Sequence, residues 1–419
     1  MMEPVSFILC NYNALDYFRF CYQSLRENLW DGHEIVLVDD GSTDGSRAWM
    51  RSLSDPRLIR HENPENIGIA YSYNMGVNLA TSRTVCVLHT DMYVPPRFDE
   101  RMLAGLRGRD FVCAYRAEPD LYPPSPDKAV ADFGQDLATF DRAGFDAWAE
   151  RNAADHPGGF GPAVFFPWMT TRRLFLRLGG VDLLFLKYMV DDDDLYLRAA
   201  LAGARMGQVR DAAVYHFGSR STRFRDPAAL GHPAAPPPPD WDDQYRRSFR
   251  NFMRKWGTPP TRCWSADMAP TPPARYDIGL LLGYGSPNAA QALATLEPLT
   301  GVTYVGDAAL RKAYVAAEQP RTRLDMKHRV RVAGKNEPQH DVFVFVPPPA
   351  QDPDTLPDTL AALTALPDEL AKLNAPADSL LGPLPVRVTA LRRHETELVT
   401  NTRIFDWNHT GTEPGFNPA

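Results

Sequence analysis

Thr84-Val85-Cys86-Val87-Leu88 is an apolar, β-favouring run that halts at His89-Thr90-Asp91 and soon meets Pro95-Pro96. The prolines block easy continuation of a ladder, so His89 and Asp91 are expected at the carboxyl end of a strand. In an open α/β sheet that end is where ligands bind. Side-chain alternation puts His89 and Asp91 on one face and Thr90 on the other. An imidazole and a carboxylate, or the carboxylate alone, could then approach one cation.

Similar units surround this stretch. Val5 to Cys10 reads as a buried strand, followed by a turn at Asn11-Tyr12-Asn13 and a helical pattern in Leu15, Phe18, Tyr22 and Leu25. Glu34 to Asp39 is a second strand, ending in Asp39-Asp40-Gly41-Ser42-Thr43-Asp44, whose short polar residues suit a tight loop and a helix N-cap. Asn66-Ile67-Gly68 precedes a helix over Tyr71 to Ala80, where Gly76 points to close packing. Alternation of this kind predicts an α/β fold.

Four successive carboxylates, Asp191 to Asp194, open a helical pattern in Leu195, Leu197, Leu201 and Met206. Aspartates cap helix N-termini, but four adjacent ones repel, which raises the proton affinity of at least one and suits a general base.

Taken in order, Asp39-Asp40-Gly41-Ser42, Asn66-Ile67-Gly68, His89-Thr90-Asp91, Gly179-Gly180-Val181-Asp182 and Asp191-Asp192-Asp193-Asp194-Leu195 resemble a family 2 glycosyltransferase of the GT-A fold over roughly residues 4–257. The family commonly carries Asp-x-Asp where this chain has His89-Thr90-Asp91. The resemblance implies a nucleotide-sugar donor, with UDP favoured, and transfer with inversion. On the donor side it implies Asp39 accepting from the base, Tyr12 packing near the base and Asp40 as the alternative acceptor, with Asn66, Gly68 and Thr90 completing the set. It makes Asp192 the base and Asp191 an acceptor-binding or supporting carboxylate, and it gives His216, at the end of the strand-like Val214-Tyr215-His216, the role of a metal ligand beside Asp91, with His89 as a third candidate ligand in place of the family's first aspartate. Carboxylate plus imidazole suits Mn2+ somewhat better than Mg2+. A nucleotidyltransferase and a non-catalytic sugar-nucleotide-binding module are the alternatives from other classes.

The irregular stretch 117–160 is expected on the acceptor side, since long insertions in compact domains tend to serve function. Trp168 suits either a sugar platform or the core. Arg220, Arg223 and Arg225 form a basic loop fit for a diphosphate or for solvent. Pro236 to Pro239 form a stiff spacer before an amphipathic helix carrying Tyr245, Phe249, Phe252 and Trp256.

The expected organisation is a catalytic domain at 1–257, a linker at 258–275 and a smaller α/β domain at 276–419 of unassigned role. Gly283-Tyr284-Gly285 in that domain reads as a plain turn. The basic cluster Arg321, Arg323, Lys327, His328, Arg329, Arg331 and Lys335 raises a second acceptor, a hydroxylated base in DNA, beside the default of a glycan or small molecule. A net charge of −7 opposes a uniformly basic nucleic-acid-binding surface. Five cysteines without a CxxC pair suggest a reduced, cytoplasmic setting with no structural zinc. The amino terminus lacks the basic region of a signal peptide, and no run reaches the roughly 18 apolar residues of a membrane span.

Overall fold

A computed structural model describes residues 2–161, 163–220, 222, 239–260, 276–334 and 339–393. Arg223, Arg225, Pro236 to Pro238, Cys263 and Lys335 lie outside the described residues. The rest divide into two compact units, 2–245 and 246–393.

The first unit begins with strand–helix repeats: β1 (Val5–Asn11), α1 (Leu15–Asn28), β2 (Glu34–Asp39), α2 (Ser46–Ser52), β3 (Leu58–Glu62), α3 (Ile69–Leu79) and β4 (Thr84–Leu88). These four strands pair in parallel, in the order β3-β2-β1-β4. All residues of β1 and β4 are buried, which explains their unbroken apolar character, because a parallel strand covered on both faces has no solvent side. Gly76 packs α3 against β1: a Cβ there would lie 2.4 Å from Ile8 Cγ2.

After β4 come β5 (Met92–Tyr93), α4 (Phe98–Gly108), β6 (Phe111–Glu118), β7 (Lys128–Val130), α5 (Arg142–Asp155), β8 (Phe160–Gly161), β9 (Trp168–Thr171), α6 (Arg172–Arg177), α7 (Asp191–Leu201) and β10 (Met206–His216). The sheet continues β4-β9-β6-β10-β5, with β9 antiparallel to both neighbours and β6 parallel to β10. The expected α/β class with a mostly parallel sheet and flanking helices is therefore observed. Trp168 is fully buried against Phe111, Phe166 and Phe175, so it belongs to the core.

α8 (Trp241–Trp256) is the expected amphipathic helix, but its residues from Arg246 onward belong to the second unit, ahead of the boundary expected at 257. A buried ionic cluster accounts for this. Arg254 pairs with Glu297 at 2.7 Å, Arg250 with Glu318 at 3.1 Å, and Arg329 with Glu297 at 2.7 Å.

The second unit contains β11 (Ile278–Leu282), α9 (Ala289–Leu296), β12 (Val302–Val305), α10 (Ala308–Glu318), α11 (Met326–Arg329), β13 (Val330–Val332), β14 (Val342–Val346), α12 (Leu356–Ala371), β15 (Ser379–Leu381) and β16 (Leu384–Val388). Its sheet runs β13-β12-β11-β14-β16-β15, parallel through β14 and antiparallel beyond. Gly283 lies at the point where strand order reverses, but the crevice there is filled. Gly283 N bonds Val346 O, Gln351 Nε2 donates to Gly283 O and Val346 O, and Pro348 closes on Gly283. Gly283-Tyr284-Gly285 is thus a turn. The basic cluster needs correcting too: Arg329 is buried and donates to Glu297 and to the carbonyls of Glu297 and Thr300. Burial of Arg329 thus removes one member of the cluster, while Arg321, Arg323, Lys327 and His328 stay exposed.

Candidate active site

The site forms where β4 and β10 end. β5 runs antiparallel to β10 with His216 opposite Met92, and Phe217 N bonds Asp91 O at 3.0 Å. Two residues distant in sequence are thereby brought together. His216 Nε2 lies 3.3 Å from Asp91 Oδ1, and the His89 and His216 ring centres are 5.6 Å apart. One ligating atom from each of His89, Asp91 and His216 lies within 4.8 Å of the others. β4 ends at Leu88, so His89 and Asp91 come together with His216 in the turn that follows the strand, and not by strand alternation.

Electrostatics sorts the three groups. Burial alone would hold the His216 imidazolium down, but Asp91 and Glu118 raise its pKa to about 9. Burial, then the nearby His216, press His89 down to about 3, so its ring is neutral. It stacks on Phe166 at 4.2 Å between centres. Burial opposes ionisation of Asp91, yet His216 and the backbone N–H of Arg220, 2.8 Å from Oδ2, hold its carboxyl well below the usual range. His216 Nε2 is buried. An imidazole nitrogen facing a carboxylate, with a second neutral imidazole alongside, fits a divalent cation in donor type and spacing.

The acidic run begins α7, as expected. Asp194 and Arg198 form a fully buried pair at 2.8 Å, and Arg198 also donates to Leu178 O and Gly180 O, fixing the glycine turn. Asn74 clamps the same turn through Val181 N and Val181 O, both at 2.8 Å. Asp191 is buried, and burial followed by the charge of Asp192 pushes its pKa well above the ordinary carboxylate value. Asp192 is partly exposed and accepts from Asp193 N at 3.0 Å. Tyr73 is buried and feels the charges of both the acidic run and Asp91. Its pKa is raised chiefly by burial, with Asp191, Asp192 and Asp91 all contributing, and its ring lies 5.5 Å from that of Phe166.

The loop ahead of α7 is conformationally unusual. Lys187, Met189 and Val190 hold φ of 85°, 79° and 55°, in the left-handed region that non-glycine residues avoid. Its anchor is Gly68, at φ 124°, whose missing Cβ would lie 2.3 Å from Lys187 N, and Ile69 N bonds Lys187 O at 3.0 Å.

On the donor side the roles divide. Asp39 is buried and accepts from Ser42 N at 2.9 Å and Arg47 Nε at 2.8 Å, while Tyr12 stands exposed at the end of β1. Asp40 is committed to the protein itself. It accepts from Asn63 Nδ2, Ile67 N, Gly68 N and Asn66 Nδ2 at 2.7, 3.0, 2.9 and 3.1 Å. Asn66 also accepts from Lys187 Nζ at 2.5 Å, and Thr90 is buried. Asp40, Asn66 and Gly68 therefore act in building the loop. Arg172 donates to Val77 O and Asn78 O, which makes it structural. Arg220 is buried and bonds Gln135 O, so the insertion braces the segment after His216.

Residues 6–127 match the glycosyl transferase family 2 profile. Over this span the chain is similar to glycosyl transferase family 2. A putative glycosyltransferase, EpsH, from Bacillus subtilis is 32% identical over 137 residues, covering 32% of this chain and 39% of that protein. A validoxylamine A glucosyltransferase from Streptomyces hygroscopicus subsp. jinggangensis is 27% identical over 200 residues, covering 43% of this chain and 46% of that one. The chain thus spans less than half the length of these curated relatives. The crystal structure of GalNAc-T7 with UDP, GalNAc and Mn2+ overlaps 51% of this chain and 43% of that chain, at 14% identity and a TM-score of 0.40. The His89, Asp91 and His216 cluster extends beyond the matched span, because His216 lies outside it.

Proposed function

We propose that the chain is an inverting glycosyltransferase that moves a sugar from a nucleotide sugar, in the first instance a UDP-sugar, to a hydroxyl of a glycan or small-molecule acceptor. The observation that carries this reading is the convergence of His89, Asp91 and His216 where β4 and β10 end, together with the partly exposed Asp192 at the start of α7. Asp192 takes the proton of the acceptor hydroxyl as its oxygen attacks the anomeric carbon. Asp191, whose proton affinity is raised by burial and then by the charge of Asp192, stays protonated more readily. His89, Asp91 and His216 would hold a divalent cation, with Mn2+ better matched than Mg2+ to two imidazoles. When bound, that cation supplies positive charge for the departing diphosphate. Asp39, kept in place by Ser42 and Arg47, reads the base, and Tyr12 packs beside it. A cytoplasmic setting agrees with the four buried free thiols, Cys10, Cys21, Cys86 and Cys113.

The deciding experiment is a screen of nucleotide sugars for metal-dependent hydrolysis without acceptor, repeated with Asp192→Asn in the transfer reaction once an acceptor is found. Transfer should fall by about 100-fold or more with donor affinity little changed. An active Asp192→Asn beside a dead Asp191→Asn would reassign the base, and turnover that persists in excess chelator would remove the cation from the reading.

A further inference from the structure

Glu118 ends β6, the strand parallel to β10, and its carboxylate is buried. Oε1 accepts from His216 Nδ1 at 2.6 Å and from Arg116 Nη1 at 2.8 Å, and Oε2 accepts from Lys128 Nζ at 2.8 Å. Arg116 also pairs with Asp127, and its guanidinium lies 3.7 Å from the centre of the Phe165 ring. β7 pairs with β6 so that Lys128 stands opposite Arg116. Two cations and two carboxylates therefore balance around one imidazole nitrogen.

A network that served only to bury Arg116 and Lys128 would have no use for His216. Here the shortest contact of Glu118 goes to Nδ1, the ring nitrogen remote from Asp91, and the other nitrogen faces Asp91 Oδ1 at 3.3 Å. A carboxylate on the far nitrogen fixes both the tautomer and the orientation of a ligating imidazole. We infer that Glu118 is a positioning residue for cation binding, holding His216 with Nδ1–H donated outward and Nε2 turned towards Asp91, and that Lys128 and Asp127 from the 117–160 insertion hold Glu118 in turn. The beginning of the insertion thereby gains a task in supporting this site, in addition to its expected place on the acceptor side. The inference rests on reading the His89, Asp91 and His216 cluster as a cation site, not on sugar transfer.

The test uses the full chain and Mn2+ alone, with affinity measured by calorimetry and imidazole coordination by the 14N couplings in the electron spin-echo spectrum. Wild type should bind Mn2+ with couplings from two imidazoles. Glu118→Ala should weaken binding by about 10–100-fold and lose one coupling. Glu118→Asp, which keeps the charge balance that the buried network needs for folding but draws the carboxylate back from Nδ1, should do the same. Glu118→Gln keeps the reach and an acceptor oxygen, so both couplings should remain. Unchanged affinity with both couplings in Glu118→Ala or Glu118→Asp overturns the inference, and so does a wild type that binds no Mn2+. If the variants behave as expected and no nucleotide sugar is turned over, the assignment of Glu118 stands and the transfer reading falls.

Discussion

Asp40→Asn is a sharp test of the division of labour between the two adjacent aspartates. The substitution keeps the shape but converts one acceptor oxygen to an amide NH2. Oδ1 accepts from Asn63 Nδ2 and Ile67 N, and Oδ2 accepts from Gly68 N and Asn66 Nδ2. Whichever way the amide turns, two of these donors face another donor. Losing two hydrogen bonds to a charged acceptor, at ~1.5–3 kcal/mol each, removes about 3–6 kcal/mol. For a unit of this size, that lowers the melting temperature by roughly 6–24 °C, at about 2–4 °C per kcal/mol. Scanning calorimetry of the full chain reads the shift in the first unit's transition, and UDP affinity is measured well below it. The cost should appear as stability, with nucleotide affinity reduced only as the Asn66–Gly68 loop loosens. A melting point within about 2 °C of wild type together with abolished UDP binding would refute the reasoning and put Asp40 in contact with the base.

Asp91→Ala, His216→Ala and His89→Ala should each weaken Mn2+ binding, because all three groups face one point; calorimetry with Mn2+ alone checks each, and an unaffected His89→Ala would leave a two-residue site. Glu297→Gln breaks the buried cluster with Arg254 and Arg329 and should cost the second unit about 3–5 kcal/mol, read from its denaturation midpoint. Burial opposes ionisation of Glu297, but Arg329 and Arg254 lower its pKa to about 2. A depressed folded-state value means stability that is full above the unfolded value of roughly 4.3 and lost as pH falls from there towards 2. About 3 kcal/mol should disappear across that window in wild type and be missing from the pH profile of Glu297→Gln.

The strands that carry the site were legible because local chemistry decided them. Thr84 to Leu88 is apolar on both faces and stops at polar residues, and the structure ends β4 at Leu88. The acidic run announced that one carboxylate would have its proton affinity raised. Burial then selected Asp191, and no local pattern could have said so. Glu118 was invisible, because it is an ordinary residue at a strand end whose importance comes from pairing with a strand nearly a hundred positions later. Sequence could not divide Asp40 from Asp39, because the four donors of Asp40 come mainly from a loop that returns from beyond β3. Arg329 read as part of a basic surface because sequence adjacency carries no information about which arginine turns inward. α12 went unread, although Leu356, Leu363, Leu366 and Leu370 follow a helical period, because the prolines that open it resemble a loop.

The left-handed run at Lys187, Met189 and Val190 sets burial against backbone strain. A β-branched residue at φ 55° carries strain of roughly 1–2 kcal/mol that glycine would not. Glycine at position 190 would also forfeit the buried valine side chain, about 1.5–3 kcal/mol, and add backbone freedom to the unfolded chain. Selection for survival of heating alone should therefore keep Val190, and with it a fixed backbone directly in front of Asp191 and Asp192.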